Sequence, residues 1–208
     1  MYLSRLKVSL ENRRVQALLT NPYECHQVLA LACASGPDQK PSRILFRVEP
    51  EANESQSILL VQSVDEPHWN RLELAEKLPI LSAESKPIHP KLARGGCYHF
   101  RLRANPTVKR EGKRWPIIKD EDLRIWLERK FLVGGARLSG VTIIQEGKRE
   151  AVKRRQIEKN PVMTFSSVRF EGVLQVEDSD KLLELVRQGV GSAKGFGFGL
   201  LSLAPAGK

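Results

Sequence analysis

The chain of 208 residues has only three cysteines, Cys25, Cys33 and Cys97, and no Cys-x-x-Cys pair. That count and spacing exclude a disulfide framework and point to reduced thiols in a cytoplasmic protein. No apolar run approaches the roughly 20 residues of a membrane helix. The opening "MYLSRLKVSLENRR" alternates and carries charge early, unlike a secretory signal. Asp and Glu are not clustered as a two-metal nuclease needs, and no Ser or Cys sits in a nucleophile motif. His89, Cys97 and His99 are close in sequence, but their spacing matches no zinc site. Neither a metal nor an organic cofactor is therefore expected. The stretch "GVGSAKGFGFG" (189–199) fails both the dinucleotide fingerprint and the phosphate-loop pattern. It also runs from helix to strand, the reverse of those loops. It either brings backbone N–H groups and Lys194 near a phosphate, or it caps a helix and packs a strand closely.

What is present is basic charge, and it is concentrated. Lys and Arg number 34 against 24 Asp and Glu, a net charge of +10. Residues 1–100 carry 12 basic and 11 acidic side chains, residues 101–160 carry 17 and 8, and residues 161–208 carry 5 and 5. An excess gathered into sixty residues suggests a polyanion partner, nucleic acid being the commonest, against the plainer reading of a solvated face. Twelve of these seventeen cations fall in "RLRANPTVKREGKRWP" (101–116) and "EGKREAVKRRQIEK" (146–159), both loop-like. Grouped Lys and Arg with few aromatics suit reading a duplex backbone better than stacking on single strands.

The hydrophobic fraction, 41%, is enough for a folded core. Residues 2–10 alternate like a half-buried strand. "NPYECHQVLALACAS" reads as a helix with Asn21 as N-cap and Pro22 first. Residues 43–50 and 57–64 read as strands, 67–78 as a short helix, and 82–96 as a linker rich in Pro, Gly and charge. The second half repeats the order. "CYHFRLRA" (97–104) is a strand with Tyr98, Phe100 and Leu102 on one face and His99, Arg101 and Arg103 on the other. Residues 120–135 form a helix with Leu123, Trp126, Leu127 and Phe131 at helical spacing. Strands follow at 135–147 and 162–178, then a helix from Ser179 and a closing strand at 195–205. Each half approximates β-α-β-β-α-β, although the fourth strand of the first half is poorly marked. The expectation is an α+β protein of two tandem ferredoxin-like (βαββαβ) domains with antiparallel sheets, 1–88 and 89–208. A single larger α+β domain is the alternative.

His26 is the one residue whose chemistry stays open. On a helical wheel Cys25, Val28, Leu29 and Ala32 form the apolar arc. His26 lies about 100° from its centre, with Tyr23 a neighbour at i, i+3. That places both at or outside the rim of the buried face, compatible with a proton carrier or an ordinary surface histidine.

Several segments together resemble the CasE family, the Cascade-type CRISPR precursor-RNA endoribonucleases. They are "MYLSRL", "PYECH", "ILFRVEP", "VDEPHWNRL", "RANPTVKREGKR", "FEGVLQVED" and "GVGSAKGFGFGLLSLAP". Gln27 stands where family members often carry an arginine. The resemblance implies two ferredoxin-like domains and metal-free cleavage of CRISPR repeat RNA stem-loops. It also implies retention of the product with other subunits of a Cascade-type effector complex, away from any membrane. His26 then looks like the general acid/base and Tyr23 its catalytic neighbour, in the first domain. The RNA-holding surface of the second domain would comprise Arg103, Lys109, Arg110, Lys113, Arg114, Lys148, Arg149, Lys153, Arg154 and Arg155. Gly191, Lys194 and Gly195 of the glycine-rich loop would complete it. A non-catalytic RNA-binding subunit shares the fold and charge pattern. A metal- or nucleotide-dependent enzyme is the third possibility.

Overall fold

A computed structural model describes residues 1–34, 43–49, 55–74, 78–152 and 162–207. It divides into two compact units. The first comprises the described residues of Met1–His89, Glu150–Thr164 and Gly195–Gly197; the second comprises Pro90–Arg149, Phe165–Lys194 and the described part of Phe198–Lys208.

In the first unit the order is β1 (Tyr2–Ser9), α1 (Arg13–Thr20), α2 (Pro22–Ala32), β2 (Ile44–Val48), β3 (Gln56–Ser63), α3 (Asn70–Leu74) and β4 (Ser82–Pro87). The four strands form an antiparallel sheet in the order β2-β3-β1-β4. Alternation in β1 buries Leu6 and Val8, and Leu59, Val61, Ile44 and Phe46 join them from β3 and β2. Val15 and Leu18 of α1, Cys25 and Leu29 of α2, and Leu72 of α3 complete this core. Each large apolar side chain so buried stabilises by about 1.5–3 kcal/mol.

Residues 82–87 correct the linker expectation, because they form the missing fourth strand, pairing Tyr2↔Pro87 through Lys7↔Ser82. An edge strand needs no apolar alternation, and Ser82–Pro87 is mostly exposed and polar. Helix α1 is also absent from the sequence expectation. Asn12 starts it, its Oδ1 accepting from the N–H groups of Arg14 (2.9 Å) and Val15 (3.3 Å).

The second unit contains β5 (Cys97–Ala104), a hairpin of β6 (Thr107–Arg110) and β7 (Lys113–Pro116), and α4 (Asp120–Val133). β8 (Ala136–Val152), β9 (Val162–Val176), α5 (Ser179–Gln188) and β10 (Leu201–Pro205) follow, with a 3-10 turn at Lys194–Phe196; the β8 residues from Glu150 on, the β9 residues up to Thr164, and Gly195 and Phe196 of the turn belong to the first unit. Its sheet order is β10-β5-β9-β8. Numbered within each unit, both sheets read 4-1-3-2, the strand order of the ferredoxin-like fold. Phe100 and Leu102 take the core face of β5 as their alternation predicts. Phe131 meets Phe100 edge-on at 4.9 Å, and Trp126 stacks with Phe170 at 5.9 Å.

The described parts of both basic segments are mainly strands, not loops. Residues 107–116 form a hairpin with Lys109↔Arg114 and Arg110↔Lys113 paired. Its two-residue turn puts Glu111 (φ 50°) and Gly112 (φ 78°) in the left-handed region, as a tight hairpin turn requires. Residues 146–152 continue β8. Lys153, Arg154 and Arg155 lie outside the described residues. The closing strand begins at Leu201, not at residue 195.

Candidate functional site

The first unit assembles its site around the start of α2. Asn21 ends α1 and precedes α2, but its side chain does not cap the helix as its position predicts. It instead clasps the end of β8: Nδ2 donates to the Val152 carbonyl (3.0 Å), and Oδ1 accepts from the Val152 N–H (3.2 Å). This two-bond contact mimics a strand ladder. It fixes the end of β8 beside the first turn of α2.

Cys25 and Leu29 turn inward, while Tyr23 and His26 are half-buried and Gln27 is exposed. The His26 ring lies 6.3 Å from the Phe46 ring, tilted by 44°. Tyr23 stacks on Phe196 at 6.3 Å, and the Gln27 side-chain N–H reaches the Tyr23 hydroxyl at 3.4 Å. A Cβ at Gly195 would stand 3.6 Å from both Nε2 and Cδ2 of His26. The glycine thus leaves the Nε2 edge bordered by bare backbone. At Gly197, φ is +81° and a Cβ would press to 3.2 Å from Phe46, so the Gly-Phe-Gly run can lie this close only with those residues. Burial lowers the His26 pKa from its ordinary value, so the imidazole is neutral at neutral pH. Burial also pushes the adjacent Cys25 thiol up to about 12, which removes it as a nucleophile.

In the second unit, one face of the hairpin and the glycine-rich loop line a cavity of about 480 Å³. Lys109, Arg114, Gly191 and Lys194, expected from sequence, meet there with Asn105, Thr107, Trp126, Lys130, Ser192 and Ala193. Asn105 bonds both β9 and the loop: its Oδ1 accepts from the Ser166 N–H of β9 (3.1 Å), and its carbonyl accepts from the Ser192 hydroxyl of the loop (3.2 Å). The Asn-Pro pair after a strand is the signal that marks this turn. Lys194 Nζ donates to the Gln188 carbonyl (2.6 Å) at the end of α5. Gly195 falls instead beside His26 in the first unit.

Arg103 differs from the other expected cations because it is 5% exposed. Its Nε and Nη2 donate to the two carboxylate oxygens of Glu146 (2.6 and 2.9 Å), and Ser167 donates a third bond (2.7 Å). Arg169 adds an ion pair at 3.5 Å. Burial raises the Glu146 pKa, but the bonds from Arg103 and Ser167 outweigh it and hold the carboxyl below its ordinary value. Burial, with Arg103 nearby, lowers the pKa of Arg149. Lys109, Arg110, Lys113, Arg114 and Lys148 are exposed.

The Glu146 cluster predicts a pH-dependent stability. A depressed carboxylate stabilises fully above its ordinary pKa, and that contribution is lost as pH falls through the folded value. Glu146→Gln should cost about 3 kcal/mol at neutral pH by removing the carboxylate charge from its buried contact with Arg103. It should also flatten the acid limb of stability. Urea unfolding at pH 7 and near pH 3 checks both; an unchanged acid limb would mean that Glu146 does not carry it.

Among the described residues, no group of three or more His, Cys, Asp or Glu is placed to hold a metal ion. No helix among them is long and apolar enough to cross a membrane.

The sequence model of the family described as "CRISPR associated protein" matches residues 1–205. The CRISPR-associated endoribonuclease Cse3 of Thermus thermophilus is 35% identical over 216 residues, covering 99% of this chain and 100% of that protein. The Cascade subunit CasE of Escherichia coli is 33% identical over 218 residues, with 99% and 100% covered. The structure of Cse3 bound to a 19-nucleotide RNA superposes with a TM-score of 0.86 at 34% identity, covering 99% of this chain and 100% of that one.

Proposed function

The chain belongs to the CRISPR-associated protein family, and from that premise we propose that it is a metal-independent endoribonuclease that cleaves CRISPR precursor RNA at the repeat stem-loop. It keeps the product as a subunit of a Cascade-type complex in the cytoplasm. The observation that carries the chemistry is the half-buried His26, with the Gly195 backbone beside its Nε2 edge. The relatives named above, an endoribonuclease and a Cascade subunit, support the substrate and the setting.

RNA supplies its own nucleophile, so the protein must align atoms, move protons and stabilise charge. The 2′-oxygen attacks the adjacent phosphorus as its proton passes to a base. The bond from phosphorus to the 5′-oxygen breaks, and that oxygen takes up a proton. The ends are a 2′,3′-cyclic phosphate and a 5′-hydroxyl. Neutral His26 accepts the first proton or, once protonated, donates the second. Tyr23, steadied by Phe196 and Gln27, orients the 2′-hydroxyl or bonds the phosphate. In this division residues 1–88 bring the histidine. Residues 89–208 bring the exposed hairpin cations and the cavity holding Lys109, Arg114 and Lys194. Arg103 supports that surface through Glu146.

The test is cleavage in EDTA of the cognate repeat stem-loop and of the same RNA with one 2′-deoxy at the cut site. The first should be cut and the second bound intact. Tight binding of both with cutting of neither would leave a non-catalytic RNA-binding subunit. Cutting that EDTA abolishes would overturn the metal-free step.

A further inference from the structure

The hairpin has two faces, and only one belongs to the cavity of the glycine-rich loop. Register places Val108 opposite Trp115 and Arg110 opposite Lys113, away from the face of Thr107, Lys109 and Arg114. Val108, Arg110 and Trp115 line a second cavity of about 390 Å³, shared with residues 116–119 and with Asp122, Ile125, Trp126 and Arg129 of α4.

Three properties of this cavity belong together. Trp115 is 54% exposed, whereas Trp69 and Trp126 are 7% and 4% exposed, so one of the chain's three indoles stands in water. Ile118 and Ile125, also on the cavity wall, are 66% and 61% exposed. Arg110, Lys119 and Arg129 have no ion-pair partner among the described residues, while on the same helix Arg124 pairs with Glu128 and Lys130 lies over Trp126. Asp122 supplies one carboxylate among these cations.

We propose that this cavity holds a single unpaired nucleotide of the bound RNA, its base stacked on Trp115. The inference rests on the RNA-binding reading above and adds to it a second, base-contacting site. A nucleotide has a flat π-face, a hydrogen-bonding edge and a phosphate. The cavity offers an indole with isoleucine walls, one acceptor for an exocyclic amine, and three free cations. A paired stem cannot fill it, because its base faces are covered by their neighbours and its phosphates bring nothing flat. Stacking on an aromatic side chain tolerates any base, so the site would strengthen binding more than it would select sequence. An acidic amphipathic peptide would satisfy the cations and isoleucines but leaves the indole face and Asp122 without a specific role.

The full-length protein tests this through tryptophan emission, which Trp115 dominates in its response to added solutes. The probes are penta-adenylate, a pentamer with the same phosphates and abasic sugars, and an acidic amphipathic peptide. Penta-adenylate should quench the emission and bind about 10-fold or more tightly than the abasic pentamer. Trp115→Ala should erase that difference, while Trp115→Phe should keep the affinity difference and lose the signal. Equal affinity and equal quenching by the two pentamers would reduce the cavity to a phosphate contact and overturn the proposal. Quenching by the peptide alone would make it a protein-docking surface. If the stem-loop is still bound and cut while penta-adenylate never quenches, the nucleotide site fails and the endoribonuclease reading stands. If the stem-loop is neither bound nor cut, that reading fails as well.

Discussion

His26→Ala should slow cleavage of the cognate stem-loop by about 10²–10⁴-fold, the usual worth of a positioned acid or base. RNA affinity should stay within about twofold, because the half-buried ring contributes little of the cationic surface. Single-turnover cleavage and a filter-binding titration on the same preparation separate the two. A variant that cuts at the wild-type rate would make His26 a surface residue. The pH dependence adds a signature that a structural role would not produce. Burial lowers the pKa of His26, so if it acts as base the rate climbs with pH through a folded value below 6.5 and is level above it. Stability follows the same linkage. Above pH 6.5 both states are neutral at this site. As pH falls from 6.5 through the folded value, the unfolded chain takes the proton first and the fold loses stability. His26→Ala should remove that loss. Bound phosphate acts in the opposite direction, favouring the imidazolium, so the rate profile with RNA should lie at higher pH than the stability profile without it.

Replacing Lys109, Arg110, Lys113 and Arg114 together with alanine should weaken stem-loop binding by about 100-fold at physiological salt. The slope of log affinity against log salt should flatten by about one unit for each phosphate contact removed. The four side chains are exposed, and Glu111 and Gly112 still form the turn, so thermal stability should barely move. Affinity measured from low to high salt decides the matter. A parallel line, merely displaced, would mean that the cations act through hairpin shape and not through phosphates.

The repeated βαββαβ order and the core face of β5 were legible because alternation and helical spacing record burial directly. The elements that escaped are those whose burial is slight. β4 is a polar edge strand, and the hairpin is stabilised by pairing and turn geometry, neither of which leaves an apolar period. At the site, His26 and Tyr23 stood out by residue type and position on α2. The departure of Arg103 from the other cations was not legible. Its carboxylate partner lies 43 residues away on another strand, and an arginine looks the same in sequence whether it faces water or Glu146. Asn105, Ser192 and Trp126 were missed for a related reason: they are ordinary residues until the loop folds over them. Asn21 was placed correctly at a helix start, yet its amide is spent on a strand 131 residues later.

The Gly195–Gly197 run closes the surroundings of a histidine made 169 residues earlier. During synthesis, at about 5–20 residues per second, α2 is available long before the segment that borders its Nε2 edge. A chain released before residue 195 would carry His26 without that border. Translation through residue 197 is thereby a condition of a complete site, and products terminated before it would be defective in cutting without any separate safeguard.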